Sequence, residues 1–198
     1  MNKIINLTLT VVFIVGGYQF YFLPQRCPGR KPIEIITKFE KRIPFYPSWV
    51  WVYSGLYYPT IIGLVFTIDD FKKFNFTAFN FLVLLFIQLI ISYLIPVKAP
   101  DEWRQYQTRE TLSTKFLSLV RQYDKHPVNC FPSMHVSVAT LTALHLDSNL
   151  FMYIRNWSSI SLIFPILIGI STLFTKQHYL IDIIAGALLG YIVFGFYS

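Results

Sequence analysis

The feature that most constrains this chain is a series of six apolar stretches, most of them about 20 residues long, the length that spans a hydrocarbon core. The stretches are uniformly apolar and lack the alternation of apolar and polar residues that strands of a membrane barrel show. Helices are therefore expected, because a helix satisfies its own backbone hydrogen bonds in lipid. The stretches are Ile4–Leu23, Trp49–Thr67, Phe76–Ile95, Val136–Leu146 with its flanks, Trp157–Phe174 and Tyr179–Tyr197.

This pattern predicts an all-α, polytopic membrane protein in which residues 1–198 form a single domain, a six-transmembrane-helix bundle. The fourth stretch reaches spanning length only if its helix begins near Ser133 and continues through Asn149 into residues 151–154. The first stretch follows Lys3 as in a signal peptide, but it ends in bulky residues rather than in a small-residue cleavage site. We therefore expect it to be retained as a span.

Composition narrows the class further. Charged residues make up 14% of the chain, whereas a soluble domain carries roughly 25%, and this excludes a water-soluble globular protein. The formal net charge is +7, and in a hydrophobic chain such an excess favours anionic lipid or phosphate as a partner, not nucleic acid. Cys27 and Cys130 are too few for a disulfide scaffold or a cysteine zinc site. They could form one disulfide, but we expect two thiols.

The polar segments collect on one side of the predicted bundle. With six spans, the two long connections, residues 24–48 and 96–131, lie on the same side as the short link 175–177. Within the second connection, Leu112–Val120 mixes apolar and polar residues at helical spacing, which indicates a helix lying on the membrane interface. The active site is expected at this face.

Two short clusters on that face carry chemistry. One cluster is Lys176-Gln177-His178, and Asp182 follows the histidine by four residues on the opening turn of the last predicted helix. Positions i and i+4 share a helix face, so Asp182 can accept a hydrogen bond from one ring nitrogen of His178 and leave the other as a nucleophile or base. An aspartate in an apolar span is costly and indicates function. The other cluster is Cys130-Phe131-Pro132-Ser133-Met134-His135.

That other cluster predicts the start of a helix at Pro132 and Ser133. The backbone amides of Met134 and His135 would then lie in the first turn, where the unpaired N–H groups and the helix dipole favour an anion. Lys176 adds a positive charge close to His178. Together these residues predict phosphoryl transfer through a phosphohistidine.

These residues resemble the type 2 phosphatidic acid phosphatase superfamily, which includes membrane lipid phosphatases and vanadium haloperoxidases. Its second motif, Pro-Ser-Gly-His, is matched by residues 132–135 with Met134 in place of glycine, as in the branch that looks like inositol phosphorylceramide synthases. Its third motif is matched in spacing by Ser171, His178 and Asp182, with Thr172 in place of the motif's arginine. Lys176 is the expected substitute for that arginine.

The first motif of the family, a lysine followed after six residues by Arg-Pro, is matched most weakly. Five residues separate Lys98 from Arg104, no proline follows Arg104, and Arg109 competes for the arginine's role. The resemblance therefore covers residues 96–198 by motif and the whole chain by its predicted six-span arrangement.

The resemblance implies a division of roles. His178 would attack phosphorus, Asp182 would orient it, and His135 would protonate the leaving oxygen and then activate water. The phosphoryl oxygens would be held by a second set of groups, namely Lys98, Arg104, Ser133, the backbone N–H of Met134, Ser171 and Lys176. A zinc ion bound by His135, His178 and Asp182 is disfavoured by the charge of Lys176. We therefore expect neither a metal nor another cofactor.

The predicted activity is hydrolysis of a lipid phosphate monoester or pyrophosphate. Two alternatives stay open: transfer of a lipid head group to an acceptor alcohol, as in inositol phosphorylceramide synthases, and a membrane scaffold without catalysis. The expected partners are the lipid bilayer and a lipid phosphate substrate. The sequence contains no signal for the identity of the lipid or for the oligomeric state.

Two arguments predict opposite orientations of the protein in the membrane. The face that carries the site is richer in lysine and arginine than the face that carries the termini, and the positive-inside rule alone places it in the cytoplasm. The family resemblance places it outside. We expect a multi-pass protein of the bacterial inner (cytoplasmic) membrane, with the site facing the periplasm or exterior.

Overall fold

The computed structural model describes residues 3–35, 37–105, 109–124, 128–150 and 160–196. In these ranges the regular structure is helical, and extended pairing is confined to isolated bridges, so the predicted all-α class is confirmed there. The helices are α1 (Lys3–Tyr21), α2 (Leu23–Arg26), α3 (Lys38–Arg42), α4 (Tyr57–Leu64), α5 (Phe71–Leu94), α6 (Leu112–Tyr123), α7 (Met134–Leu150), α8 (Ile163–Phe174) and α9 (Leu180–Gly195).

Within the described ranges, three helical segments are long and apolar enough to cross a membrane: Lys3–Arg26, Pro47–Thr67 and Phe71–Leu94. Two shorter apolar helices, α8 and α9, follow later in the chain. The predicted fourth span corresponds to α7, while its extension into residues 151–154 and the predicted start of the fifth span at Trp157 lie outside the described residues.

Helix α5 shows how the chain is adapted to lipid. Its buried face carries polar side chains, including Asn80 and Gln88, whereas Phe79 and Phe86 on the other face are exposed. A soluble helix buries its apolar face and exposes its polar one. The reversed arrangement fits a helix surrounded by hydrocarbon, in which polar groups find partners only inside the bundle.

Helix α7 packs mainly against α9, and two glycines allow the close approach. A Cβ atom built on Gly186 would lie 2.5 Å from the carbonyl oxygen of Ser133, and one on Gly190 would lie 2.5 Å from that of Ser137. The two glycines are four residues apart, the small-residue spacing that brings membrane helices into backbone contact. This packing brings the start of α7 next to the start of α9.

The segment before α4 is a π-helical turn, Trp51–Leu56, preceded by a 3₁₀ turn at Pro47–Trp49. Pro59, inside α4, has no amide to donate to the preceding turn, which is consistent with irregular hydrogen bonding there. Such wider turns re-aim side chains and recur at functional sites. Here the turn includes Tyr53, which is buried in the bundle.

The long connections meet at the end of the bundle where α1 and α5 end and α7 and α9 begin. Isolated parallel bridges join Ile33 to Val97 and Val97 to Asn129. The side chain of Asn129 donates to the carbonyl oxygen of Tyr21 at 3.1 Å, and the amide of Gly29 donates to that of Tyr93 at 3.1 Å. Helix α6, predicted as interfacial, lies at this same end and contacts the 3₁₀ turn at residues 47–49.

Candidate active site

The two histidines singled out by the sequence lie side by side. His135 is in the first turn of α7, His178 lies in the link between α8 and α9, and their ring centroids are 5.9 Å apart. Their approach depends on the α7–α9 packing, since the amide of Ser133 donates to the carbonyl oxygen of Asp182 at 2.9 Å. One small group bound between the rings could contact both.

The ring of His178 is oriented by a backbone carbonyl. Its Nδ1 lies 2.9 Å from the carbonyl oxygen of Cys130. A carbonyl oxygen only accepts hydrogen bonds, so Nδ1 carries the proton and Nε2 keeps its lone pair. A histidine in this tautomer is suited to nucleophilic attack through Nε2.

Asp182 lies next to the same nitrogen, as the i, i+4 spacing predicted. Its Oδ2 is 3.5 Å from Nδ1 of His178 and accepts a hydrogen bond from the amide of Tyr179 at 2.8 Å. The carboxylate therefore caps the start of α9 while its negative charge faces the His178 ring. The carbonyl of Cys130, which the sequence analysis did not identify, is the nearer acceptor.

His135 is held between two tyrosines of the second span. Its ring centroid lies 4.4 Å from that of Tyr53 and 5.0 Å from that of Tyr57. The hydroxyl of Tyr53 is 3.5 Å from Nδ1 of His135. Sequence reasoning missed Tyr53, because an apolar pattern does not reveal that a π-helical turn aims one tyrosine of an aromatic-rich span at the site.

Hydrogen bonds within α7 and from α5 hold the start of α7 in place. The first internal helix bond runs from the amide of Ser137 to the carbonyl oxygen of Ser133 at 3.0 Å, and the Ser133 hydroxyl accepts from the amide of Val136 at 3.4 Å. The amides of Met134 and His135 thus precede the helix's internal ladder. On the other side, Gln88 of α5 donates to the carbonyl oxygen of Pro132.

Lys176 lies at the turn that ends α8. Its backbone adopts the left-handed conformation, with φ 56°, and the amide of Gln177 donates to the carbonyl oxygen of Thr172 at 2.9 Å, which closes the helix in a Schellman turn. Its Nζ donates to the carbonyl oxygen of Glu40 at 2.9 Å and lies 5.3 Å from the ring of Trp103. Burial lowers the pKa of Lys176, opposed by the charge of Glu40.

The remaining predicted phosphate ligands have protein partners. Ser171 donates to the carbonyl oxygen of Ile168 at 2.7 Å within α8. Lys98 pairs with Glu34 at 2.9 Å, an interaction that raises the lysine pKa, and with Asp101 at 3.6 Å.

Arg104 pairs with Asp124 at 3.8 Å. The contacts of Lys98, Arg104 and Lys176 thus lie with the connecting segments rather than with the histidine rings. Their predicted roles in phosphate binding remain predictions.

Arg121, which the sequence analysis did not select, lies in the last turn of α6 and reaches the same face. Its Nη2 donates to the carbonyl oxygens of Trp103 and Thr175, each at 3.1 Å. Its signal in the sequence is an arginine at the end of an amphipathic helix, which does not differ from that of an ordinary interfacial residue.

A cavity of about 530 Å³ opens beside His135. Tyr53, Met134 and His135 line one end, and Ile68 and Phe74 line the other, near the opposite end of the bundle. Its walls come from α1, α4, α5 and α6 and are largely apolar. The cavity therefore joins the histidine pair to a space suited to hydrocarbon.

Cys27 is exposed and Cys130 is buried, and no disulfide joins them. Nowhere in the described ranges do three or more His, Cys, Asp or Glu side chains converge as ligands of a metal ion would.

The structure thus places a histidine pair at one end of a group of apolar helices. The chain belongs to the PAP2 superfamily, the type 2 phosphatidic acid phosphatases, since the model of that family matches residues 34–196. Members of this superfamily are phosphatases.

A relative with a related sequence is an uncharacterized protein of Methanocaldococcus jannaschii, 27% identical over 179 residues. The alignment covers 90% of this chain and 66% of the relative, so the chain spans less than two thirds of that protein's length. No solved structure matches the chain.

Proposed function

We propose that this protein is a membrane phosphatase that hydrolyses a lipid phosphate monoester or pyrophosphate through a phosphohistidine at His178. The observation that carries the proposal is the 2.9 Å contact between Nδ1 of His178 and the carbonyl oxygen of Cys130. Nδ1–H donates to that oxygen, which leaves the lone pair of Nε2 for nucleophilic attack, and the ring centroids of His178 and His135 are 5.9 Å apart. Family membership supports the reaction class.

In the first half-reaction, Nε2 of His178 attacks phosphorus, and a P–N bond forms as the bond to the leaving oxygen breaks. His135 donates the proton that the leaving oxygen takes. Tyr53 supports this role: when Nδ1–H of His135 donates to the Tyr53 hydroxyl oxygen, Nε2 is the nitrogen that gives up the proton and later takes one back. The tilted rings of Tyr53 and Tyr57 pack against the His135 ring and restrict its rotation.

In the second half-reaction, His135 accepts a proton from water as the water oxygen attacks the phosphohistidine. The P–N bond breaks and phosphate leaves, so both histidines return to their starting states. Negative charge on the phosphoryl oxygens is stabilised by the first-turn amides of α7 and by the cations of the connecting segments.

The lipid character of the substrate is supported by the cavity. A phosphate bound between the two histidines would lie at the polar end of the cavity, and its hydrocarbon chain would extend toward Ile68 and Phe74. Burial of apolar chain contributes about 0.8 kcal/mol for each methylene group. Water-soluble phosphates lack this contribution.

We further propose that α1, the second span, α5, α7, α8 and α9 form a six-span bundle with both termini on the side opposite to the site. Helix α5 supports this, since its polar side chains turn inward and its apolar ones outward. We place the site at the exterior face of the bacterial cytoplasmic membrane, on the basis of the family resemblance.

Thiol labelling tests this orientation without any introduced residue. Cys27 lies exposed at the site end of the bundle, whereas Cys130 is buried and burial raises its pKa, so only Cys27 is expected to react. An impermeant maleimide added to intact cells or spheroplasts is expected to label the wild-type protein and not Cys27→Ser. Labelling of Cys27 that appears only after the membrane is opened would place the site in the cytoplasm.

The choice of acceptor separates hydrolysis from head-group transfer. Purified protein supplied with a panel of lipid phosphates and pyrophosphates is expected to release inorganic phosphate at a rate that added inositol or other alcohols leave unchanged. A lipid phosphodiester product formed in proportion to the alcohol would instead support the transferase alternative. No turnover with any substrate or acceptor would favour the non-catalytic scaffold.

A further inference from the structure

We propose that Arg121 binds the phosphoryl group of the substrate and supplies the positive charge that Thr172 cannot supply. The inference rests on the proposed function, and it assigns to the end of α6 a role that none of the sequence motifs marks. It is based on the position of the Arg121 guanidinium, its partners and its charge.

The first observation is position. Nη2 of Arg121 donates to the carbonyl oxygen of Thr175, in the turn that leads directly into His178. The guanidinium also interacts electrostatically with Tyr53, the residue whose hydroxyl lies 3.5 Å from His135. Arg121 is therefore connected to both histidine-bearing parts of the site.

The second observation concerns the charges. Lys98 and Arg104 each have a carboxylate partner, and Lys176 lies in the field of Glu40. Arg121 differs, because within the described residues its acceptors are two backbone carbonyls and no carboxylate lies within ion-pair distance.

Arg121 keeps its charge in this environment. Burial and the neighbouring charge of Arg104 lower its pKa to about 10, so it stays protonated at neutral pH. A partly buried cation near a second cation is costly without a counter-charge, and a bound anion would supply one.

The third observation is that one N–H group of the guanidinium lacks a hydrogen-bond acceptor among the described residues. Nε of Arg121 is buried and has no hydrogen-bond partner among the described residues, while the Phe45 ring lies 5.3 Å from the guanidinium carbon. Carbonyl contacts and an aromatic face hold the group in place without neutralising it. A planar guanidinium held in this way can donate two parallel bonds to phosphoryl oxygens.

The alternative is that Arg121 only braces the turn at Thr175. Two substitutions separate these roles: Arg121→Gln keeps N–H donors for the carbonyls but removes the charge, and Arg121→Lys keeps the charge but loses the planar fork. Lys115→Gln is the matched control, since Lys115 lies on the same helix, is exposed and pairs with Glu110.

The experiment measures the binding of labelled inorganic phosphate to the full chain in detergent by equilibrium dialysis. We expect Arg121→Gln to weaken binding by about tenfold or more, Arg121→Lys to lie between it and the wild type, and Lys115→Gln to bind as the wild type. His178→Ala is expected to bind phosphate and yet not turn over substrate. Unfolding temperatures identify any variant that has lost its fold.

Wild-type affinity in Arg121→Gln would overturn the inference, and so would equal losses in the Gln and Lys variants. No phosphate binding by the wild-type chain would overturn it as well. The proposed function has its own test: it would be wrong if the protein did not release phosphate from any lipid substrate, even though phosphate binding still depended on Arg121.

Discussion

Replacing His178 with alanine is expected to reduce phosphate release from lipid phosphates by about 10³-fold or more, because no other group can form the covalent intermediate. His135→Ala is expected to cause a large but smaller loss, since water can replace a proton donor poorly whereas it cannot replace the nucleophile. Release of phosphate from mixed micelles measures both. The unfolding temperatures of the two variants should stay close to that of the wild type.

The control for this prediction is binding rather than turnover. His178→Ala leaves the first-turn amides of α7 and the cations in place, so inorganic phosphate should still bind. A His178→Ala protein that is folded and turns over at more than a tenth of the wild-type rate would contradict the assignment of the nucleophile.

The second large effect is expected at Gly186, far in sequence from His135 but in contact with the start of its helix. A Cβ at this position would meet the carbonyl oxygen of Ser133 at 2.5 Å, and backbone cannot yield as a flexible side chain can. Gly186→Ala should therefore destabilise the protein by about 1–3 kcal/mol, and Gly186→Val by more. Because the displaced segment includes His135, activity should fall together with stability.

Gly195→Ala is the matched control, because Gly195 ends the same helix and a Cβ there would meet no atom of another described segment within 4 Å. Thermal unfolding in detergent and phosphate release are measured on all three variants. A Gly186→Val protein as stable and active as Gly195→Ala would show that the close approach of α7 and α9 is not required.

Local pattern was enough to predict much of this molecule. The apolar stretches predicted helices, and their described parts form helices; three of the described helical segments are long enough to span a membrane. The four-residue spacing predicted that Asp182 lies beside His178, and their polar atoms are 3.5 Å apart, although His178 precedes α9 and only Asp182 lies within the helix. The start of α7 at Met134 follows from Pro132 and Ser133 in the same way.

What the sequence could not predict depends on contacts between distant segments. The acceptor for Nδ1 of His178 is a backbone carbonyl 48 residues away, which has no side-chain signature. Lys176 has the residue type and spacing of a phosphate ligand, yet its ammonium group contacts the carbonyl of Glu40, 136 residues away. Tyr53 faces His135 because of a π-helical turn.

The importance of Gly186 and Gly190 in α9 depends on which helix they face. Only the packed structure shows that Gly186 lies against Ser133 and Gly190 against Ser137. The same holds for Arg121, whose neighbours Trp103 and Thr175 come from two different connections.

The most direct test of the central claim is to trap the covalent intermediate. Wild-type protein and His135→Ala are mixed with a lipid phosphate labelled on phosphorus, quenched in alkali to preserve phosphoramidates, and mapped by peptide mass spectrometry. We predict label on His178 in both proteins, slower loss of label in His135→Ala, and none in His178→Ala. Turnover by the wild type with no label on His178, or with label on another residue, would contradict the account.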